Sequence, residues 1–345
     1  MKATKLVTAF GLTAIAAAVS TSTYAVDLIK TDDLTLNLNG DIDLLIEHDS
    51  DNDNRTEAEA NFDDVDFDFK WKIDDNLTFI AASDWTMESE NNNTLQNDQI
   101  WAGVEIGDVT VRAGFQEDAI DPLGIDSFEI VDLGRASGDQ DGGGTKFNES
   151  FFAAYEGDDY EIRGTYVVAS EANTTSDDDE EQPKRTAFAG DVKVGDFLIE
   201  GGFGSETDFD EEITVDFWQA QVEYSIGQVK LGALYGEMDV DFTDASTTDL
   251  RSTGYELNVT YKVNSKLSVY AGYEAIDNHD SSYDNYTQQG VGAVYQFSKL
   301  AKLYVEAGTQ NGTYWRGDST RTATSSFNQT KDDVSVAGML LSLDF

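Results

Sequence analysis

From Leu34 onward, apolar and polar side chains take turns. Leu34, Leu36, Leu38, Ile42, Leu44 and Ile46 stand at even positions, with Thr35, Asn37, Asn39, Asp41, Asp43 and Glu47 between them. A period of two places these sets on opposite faces of an extended strand, one greasy and one wet. The next stretch repeats the pattern, setting Val65, Phe67, Phe69 and Trp71 against Asp66, Asp68, Lys70 and Lys72. Beyond the first residues nothing approaches the ~20 apolar residues of a membrane-spanning helix. A chain patterned this way either folds its dry faces together as a soluble sandwich or solenoid, or turns them outward to lipid as a closed barrel.

The connections decide between these. Sixteen strands are predicted, near 34 to 48, 61 to 73, 77 to 88, 98 to 106, 109 to 116, 146 to 156, 160 to 169, 186 to 194, 197 to 204, 213 to 225, 229 to 238, 252 to 263, 267 to 276, 287 to 297, 301 to 310 and 332 to 345. Turns such as Asp74 to Asn76, Gly107-Asp108, Gly195-Asp196 and Asn264 to Lys266 alternate with long polar stretches such as 49 to 60, 170 to 185, 239 to 251 and 311 to 331. Transmembrane barrels show this asymmetry between their two ends. Aromatics on the apolar face gather beside the short turns (Trp71, Tyr155, Tyr160, Phe197, Tyr224, Tyr261, Tyr295, Phe297) and again toward the long loops (Trp85, Tyr166, Phe188, Trp218, Tyr255). Two belts of that kind fit the two boundaries of a bilayer. The expected fold is therefore all-β, a transmembrane antiparallel barrel of 16 strands, wide enough to enclose water.

Composition narrows the chemistry. Met1 to Lys5 is basic, Leu6 to Val19 is apolar, and Thr23-Tyr24-Ala25 is a small-residue site, so 1 to 25 reads as a secretory signal peptide cleaved after Ala25, with 26 to 345 as the barrel. The alternative for that segment, an N-terminal anchor, is disfavoured by its short length. The chain contains 22 Lys plus Arg against 67 Asp plus Glu, a net charge of −45, which disfavours nucleic acid as a partner. Its lack of cysteine removes disulfides, thiolate metal sites and thiol catalysis.

One segment, Glu117 to Gly144, interrupts the strand rhythm for longer than a structureless connection ordinarily runs. It is expected to fold into the bore as the third long loop, with Asp118, Asp121, Asp126, Glu129 and Asp132 at a constriction; the plainer alternative is a solvated external loop. On the wet faces Lys70, Arg112, Arg163, Asp66 and Asp68 are candidates for the pore wall, although each base can instead simply pair with a neighbouring acid. Asp49, Asp51 and Asp53 open like a calcium loop, but Asn54 stands where its glycine belongs and Ala60 where its closing glutamate does. Trp101, on the wet register, is either a stacking platform for sugars or local packing. His48 and His279 are expected bystanders, no H-E-x-x-H or G-x-S-x-G arrangement occurs, and neither enzyme chemistry nor a cofactor is expected.

In these respects the chain resembles the general diffusion porins of Gram-negative outer membranes. The resemblance runs over 26 to 345 and rests on the strand and loop order, the insertion after the fifth strand, and a last strand whose apolar face reads Ala337, Met339, Leu341, Leu343, Phe345. It implies a homotrimer embedded in outer-membrane lipid and lipopolysaccharide, with passive diffusion of small hydrophilic solutes and ions. It also implies that the terminal Phe345 is read by the barrel-assembly machinery. Porins of this kind set basic residues opposite the loop, and here acids dominate instead, which points to a cation preference. A sugar-selective channel, a barrel enzyme of the lipase kind, or a closed structural barrel remain the alternatives.

Overall fold

In a computed structural model, residues 26–50, 55–87, 96–120, 123, 125, 128, 131, 146–168, 184–208, 213–242, 249–279, 284–315 and 328–344 are described. Among them there is no helix, and seventeen strands follow one another. They are β1 (Val26–Lys30), β2 (Leu34–Asp49), β3 (Arg55–Lys72), β4 (Leu77–Met87), β5 (Gln96–Ile106), β6 (Val109–Glu117), β7 (Lys146–Glu156), β8 (Tyr160–Val167) and β9 (Lys184–Val194). The second half holds β10 (Phe197–Asp208), β11 (Ile213–Ile226), β12 (Val229–Phe242), β13 (Leu250–Lys262), β14 (Leu267–Asn278), β15 (Tyr286–Ser298), β16 (Ala301–Trp315) and β17 (Asn328–Asp344).

From β2 to β17 every strand pairs antiparallel with the next, and β17 returns to β2 with Val336 opposite Asp49 and Asp344 opposite Asp41. The sheet thus closes into a barrel of sixteen staves, and closure leaves no unpaired edge. All sixteen expected strands are present. The short β1 was not expected: it pairs with the remainder of β2, Val26 opposite Leu38 and Lys30 opposite Thr35, below the point where β17 stops. It lies end to end with β17 on one stave. Several strands also run further toward the long loops than expected, β10 to Asp208 and β16 to Trp315. Backbone pairing does not require an apolar face, so the ladder continues where the side chains have become polar.

Alternation sorts the side chains as lipid outside and water inside would. Phe67, Trp71, Phe151, Ile162, Phe203, Leu257, Val291 and Val305 are exposed on the outer face. Near the short turns Phe197 stacks on Tyr224 at 4.4 Å, and Tyr155 meets Tyr160 at 5.8 Å. Toward the long loops Phe188 meets Phe203 at 5.5 Å, Trp218 meets Tyr235 at 5.5 Å and Tyr255 meets Tyr273 at 6.1 Å. These neighbours sit on adjacent strands, directly opposed or offset by two residues, so each belt runs around the barrel rather than along it.

Candidate functional site

The buried apolar residues are not where a soluble protein would keep them. Near the end of β6 the register shifts between Gly114 and Gln116. Gly114 takes φ 141°, and a Cβ there would meet the carbonyl of Ile100, so only glycine makes this bend easily. Past Glu117 the chain turns inward along the barrel wall. Ala119, Ile120 and Leu123 pack with Phe152, Ala189 and Phe217 on β7, β9 and β11. Ile125 packs with Leu234, Ile276 and Tyr286 on β12, β14 and β15. Phe128 and Val131 pack with Tyr270 on β14, Phe128 meeting that ring edge-on at 4.9 Å. The segment therefore crosses the lumen side of about half the barrel.

Glycines on the inner wall make this approach possible. A Cβ on Gly202 would lie 2.9 Å from both Ile120 and Leu123, one on Gly290 would lie 2.7 Å from the Phe128 ring, and one on Gly308 would collide with Val131. Burying an Ile, Leu, Phe or Val side chain contributes about 1.5–3 kcal/mol, so these five side chains together hold the loop by at most about 15 kcal/mol.

Wall side chains also satisfy the loop backbone, which has no strand partner of its own. Arg163 Nε donates to the Ala119 carbonyl at 2.6 Å, and Gln219 Nε2 donates to that of Leu123 at 3.4 Å. Val131 N donates to Glu306 Oε2 at 3.0 Å, and its carbonyl accepts from Gln288 and Gln310. Tyr270 OH holds the other oxygen of Glu306 at 2.6 Å. At the root Asp118 accepts from Ile120 N and from Arg185 Nε, both at 2.6 Å, and Arg185 Nη1 reaches Glu206 at 3.2 Å. Arg185 also lies over the Phe217 ring, 4.7 Å from its centroid.

Of the five expected constriction acids, Asp118 is described: it is buried in that Arg185 pair rather than facing an open bore. Asp121, Asp126, Glu129 and Asp132 lie outside the described residues, as do Asp51, Asp53 and Phe345. Asp49 closes β2. On the wall, Lys70 pairs with Glu105 at 3.3 Å, and Asp68 accepts from Asn39 at 2.8 Å. Asp66 opposes Asp84 across β3 and β4. Arg163 Nη1 lies 3.5 Å from Glu161 and 3.7 Å from Asp191. Arg112 makes no ion pair among the described residues; its guanidinium is held between the rings of Trp101 at 4.8 Å and Phe152 at 4.0 Å. Trp101 thus has a packing partner on the wet face.

Arg185, Glu206, Glu306, Gln288 and Gln310 were not singled out from the sequence. For Arg185 the signal existed: the inward register of Ala187 and Ala189 extends back to it, but it stood in a stretch assigned to a long loop. Further round the wall Glu256 opposes Glu274, both fully buried, adding acid to a lumen whose described bases are mostly engaged.

Comparison with known proteins agrees with this geometry. The family model described as "Gram-negative porin" matches residues 10–313. Porin-like protein H of Photobacterium profundum is 24% identical over 215 residues, which is 58% of this chain and 62% of that relative, so the chain spans less than two thirds of its length. Among solved structures, OmpT, an outer membrane protein of Vibrio cholerae, superposes with a TM-score of 0.77 at 17% identity, over 93% of this chain and 100% of that one. A trimer form of OmpT gives 0.74 at 17% identity, over 91% and 100%. An anion-selective porin from Comamonas acidovorans gives 0.71 at 13% identity, over 91% and 100%. At such identities the structures share a fold with this chain and carry no more than that.

Proposed function

The chain belongs to the Gram-negative porin family, and from that premise we propose that its barrel passes small hydrophilic solutes and ions down their gradients with a preference for cations. The family and the fold make it a passive, non-enzymatic channel of the Gram-negative outer membrane. The observation that carries the finer reading is the loop bound along the inner wall, since a loop so placed narrows the bore and puts its own charges at the narrowing.

Sieving and charge are then the whole mechanism. Three of the wall bases are committed: Lys70 to Glu105, Arg163 to Glu161 and Asp191, and Arg185 to Asp118 and Glu206. Asp121, Asp126, Glu129 and Asp132 on the loop are the acids we assign to the constriction, with Asp66 and Asp68 on the wall. Carboxylates at a narrow, partly dehydrated point favour cations and disfavour anions. Asp118 acts differently, as the anchor of the loop's root.

In planar bilayers the purified protein should open channels, and under a salt gradient the reversal potential should take the sign of cation preference. Replacing Asp121, Asp126 and Glu129 together by Asn or Gln should weaken it. Anion preference in the parent protein would overturn the charge reading and leave the barrel standing; an unchanged reversal potential in the triple variant would remove those acids from the constriction.

The same reading includes removal of 1 to 25, a homotrimer, contact with outer-membrane lipid and lipopolysaccharide, and delivery by the barrel-assembly machinery through Phe345. A trimer form solved for OmpT supports the assembly state. The outward register of Met339, Leu341 and Leu343 on β17 supports an apolar terminal address. An intact mass beginning at Val26 and a trimeric mass in detergent are the expected measurements, and a compact monomer would refute the assembly.

A further inference from the structure

We infer that the lumen carries a subsite for zwitterionic solutes of the amino-acid kind, between the root of the inward loop and the short-turn mouth. This rests on the channel reading above. Arg112 is the anomaly that leads to it. In a chain with 67 acids and 22 bases, this guanidinium faces the lumen with no carboxylate in ion-pair contact and no hydrogen bond among the described residues. It is not loose, because its Cζ lies over two aromatic rings, Trp101 at 4.8 Å and Phe152 at 4.0 Å, which restrict its orientation. A planar donor fork oriented in advance is what a carboxylate recognises best.

A second guanidinium borders the same recess. Arg163 is 6% exposed, its Nε is committed to Ala119 and its Nη1 to two acids, while its Nη2 has no partner. The recess has a volume of about 350 Å³, at the small end of ligand sites. Glu117, Glu156, Glu161 and the Arg185-bound Asp118 join the two arginines, and Thr110, Phe152 and Ala154 complete the lining. Glu117 is steadied by Gln99 Nε2 at 2.7 Å. Thr110 and Glu156 stand within two residues of the turns at 107–108 and 157–159, which places the recess below the loop, toward the short-turn mouth.

Donors and carboxylates side by side select for a solute that has both charges. A simple anion would gain the guanidinium groups and meet four carboxylates; a simple cation would gain the carboxylates and meet two guanidinium groups. A solute carrying a carboxylate and an ammonium a few bonds apart can turn the first toward Arg112 and Arg163 and the second toward the glutamates. Each partner then meets its opposite, and neither charge is left facing its like. Such a site would hold a passing solute briefly, near enough to the short-turn mouth to be reached from that side first.

The experiment uses the full chain in planar bilayers, with L-alanine, sodium acetate and methylammonium chloride as probes at neutral pH. L-Alanine should lower the open-channel current saturably, at lower concentration from the short-turn side, while acetate and methylammonium change it only in proportion to concentration. Arg112→Gln and Arg112→Lys should each raise the half-saturating alanine concentration about tenfold or more, the lysine keeping the charge but losing the planar fork. Arg251→Gln, which breaks an ion pair on the outer rim, should leave the half-saturation where it was. Circular dichroism in detergent checks that each variant retains its sheet, and the comparison of three solutes on the unaltered protein needs no variant. Saturation by acetate alone would reveal an anion site, saturation by methylammonium alone an acid site, and either would overturn the proposal, as would Arg112 variants that block like the parent. Current without any saturation refutes the subsite only; absence of current refutes the channel reading beneath it.

Discussion

Arg185 binds two carboxylates with one guanidinium, and both it and Asp118 and Glu206 are removed from water. Removing one member of a buried charged set strands the others, which costs about 3–5 kcal/mol when an ion is left without its counterion. Arg185→Leu, which leaves two buried carboxylates, should therefore lower the urea midpoint in detergent sharply and make the 117–144 segment cleavable by protease. Asp118→Asn should cost less, about 1.5–3 kcal/mol, because its amide oxygen can still accept from Ile120 N and Arg185 keeps Glu206, while the amide NH2 cannot accept from Arg185 Nε and that charge-assisted bond is lost. Equal losses from the two would mean that the charges, rather than the hydrogen bonds, had been misjudged. Lys70→Gln tests the other extreme. Its pair with Glu105 is open to water, with the lysine side chain 60% exposed, so about 0–1 kcal/mol is expected, and the change should register in ion selectivity rather than stability. Both side chains carry one positive charge and burial separates them, and the burial of Arg185 belongs to the register of β9, whose first residues read as loop.

Strands and the inward loop differ in how much of them shows in the chain's own pattern. Lipid and water sort β2 to β17 so strictly that a period of two, with turns at one end and long loops at the other, is enough to find them all. β1 escapes that pattern because Val26–Lys30 is five residues with two charges, meaningful only beside the free length of β2. In the loop the acids draw notice, yet its buried side is Ile120, Leu123, Ile125, Phe128 and Val131, spaced by three, two, three and three residues. That spacing matches neither a strand nor a helix; it follows the wall it crosses. Phe128→Ala should undo the fit at its far end. The ring fills the space beside Gly290 and meets Tyr270, and emptying such a site costs about 3–5 kcal/mol. With the barrel pairing untouched, single channels should conduct more and flicker more. Gly290→Val, whose Cβ would stand 2.7 Å from the ring, should do the same from the other side. Unaltered conductance in both would show that this end of the loop does not set the bore.

At the scale of the whole molecule, the sign of selectivity is not a property of the fold, since an anion-selective porin shares it at a TM-score of 0.71. It must come from this chain's own charges, 67 acids against 22 bases, and two groups of those acids can be separated by salt. One lies in the long loops, of which 170 to 185 alone holds Glu171, Asp177, Asp178, Asp179, Glu180 and Glu181. Charges in water at a mouth act across a screening length of about 10 Å at 0.1 M salt and about 3 Å at 1 M, so their pull on cations should fade as salt rises. The other, on the reading proposed above, lies at the constriction, where an ion would pass within a few ångströms of the loop acids with little water between to screen them. The cation-to-anion permeability ratio should therefore fall from 0.1 M to 1 M salt but level off above unity. In the variant with Asp121, Asp126 and Glu129 neutralised, the low-salt preference should persist in part, because the mouth is unchanged, and the high-salt remainder should vanish. A parent protein that loses all preference at 1 M would place its selectivity at the mouth alone. A variant that has none even at 0.1 M would place it in the loop alone, with the acidic exterior serving solubility or hydration instead.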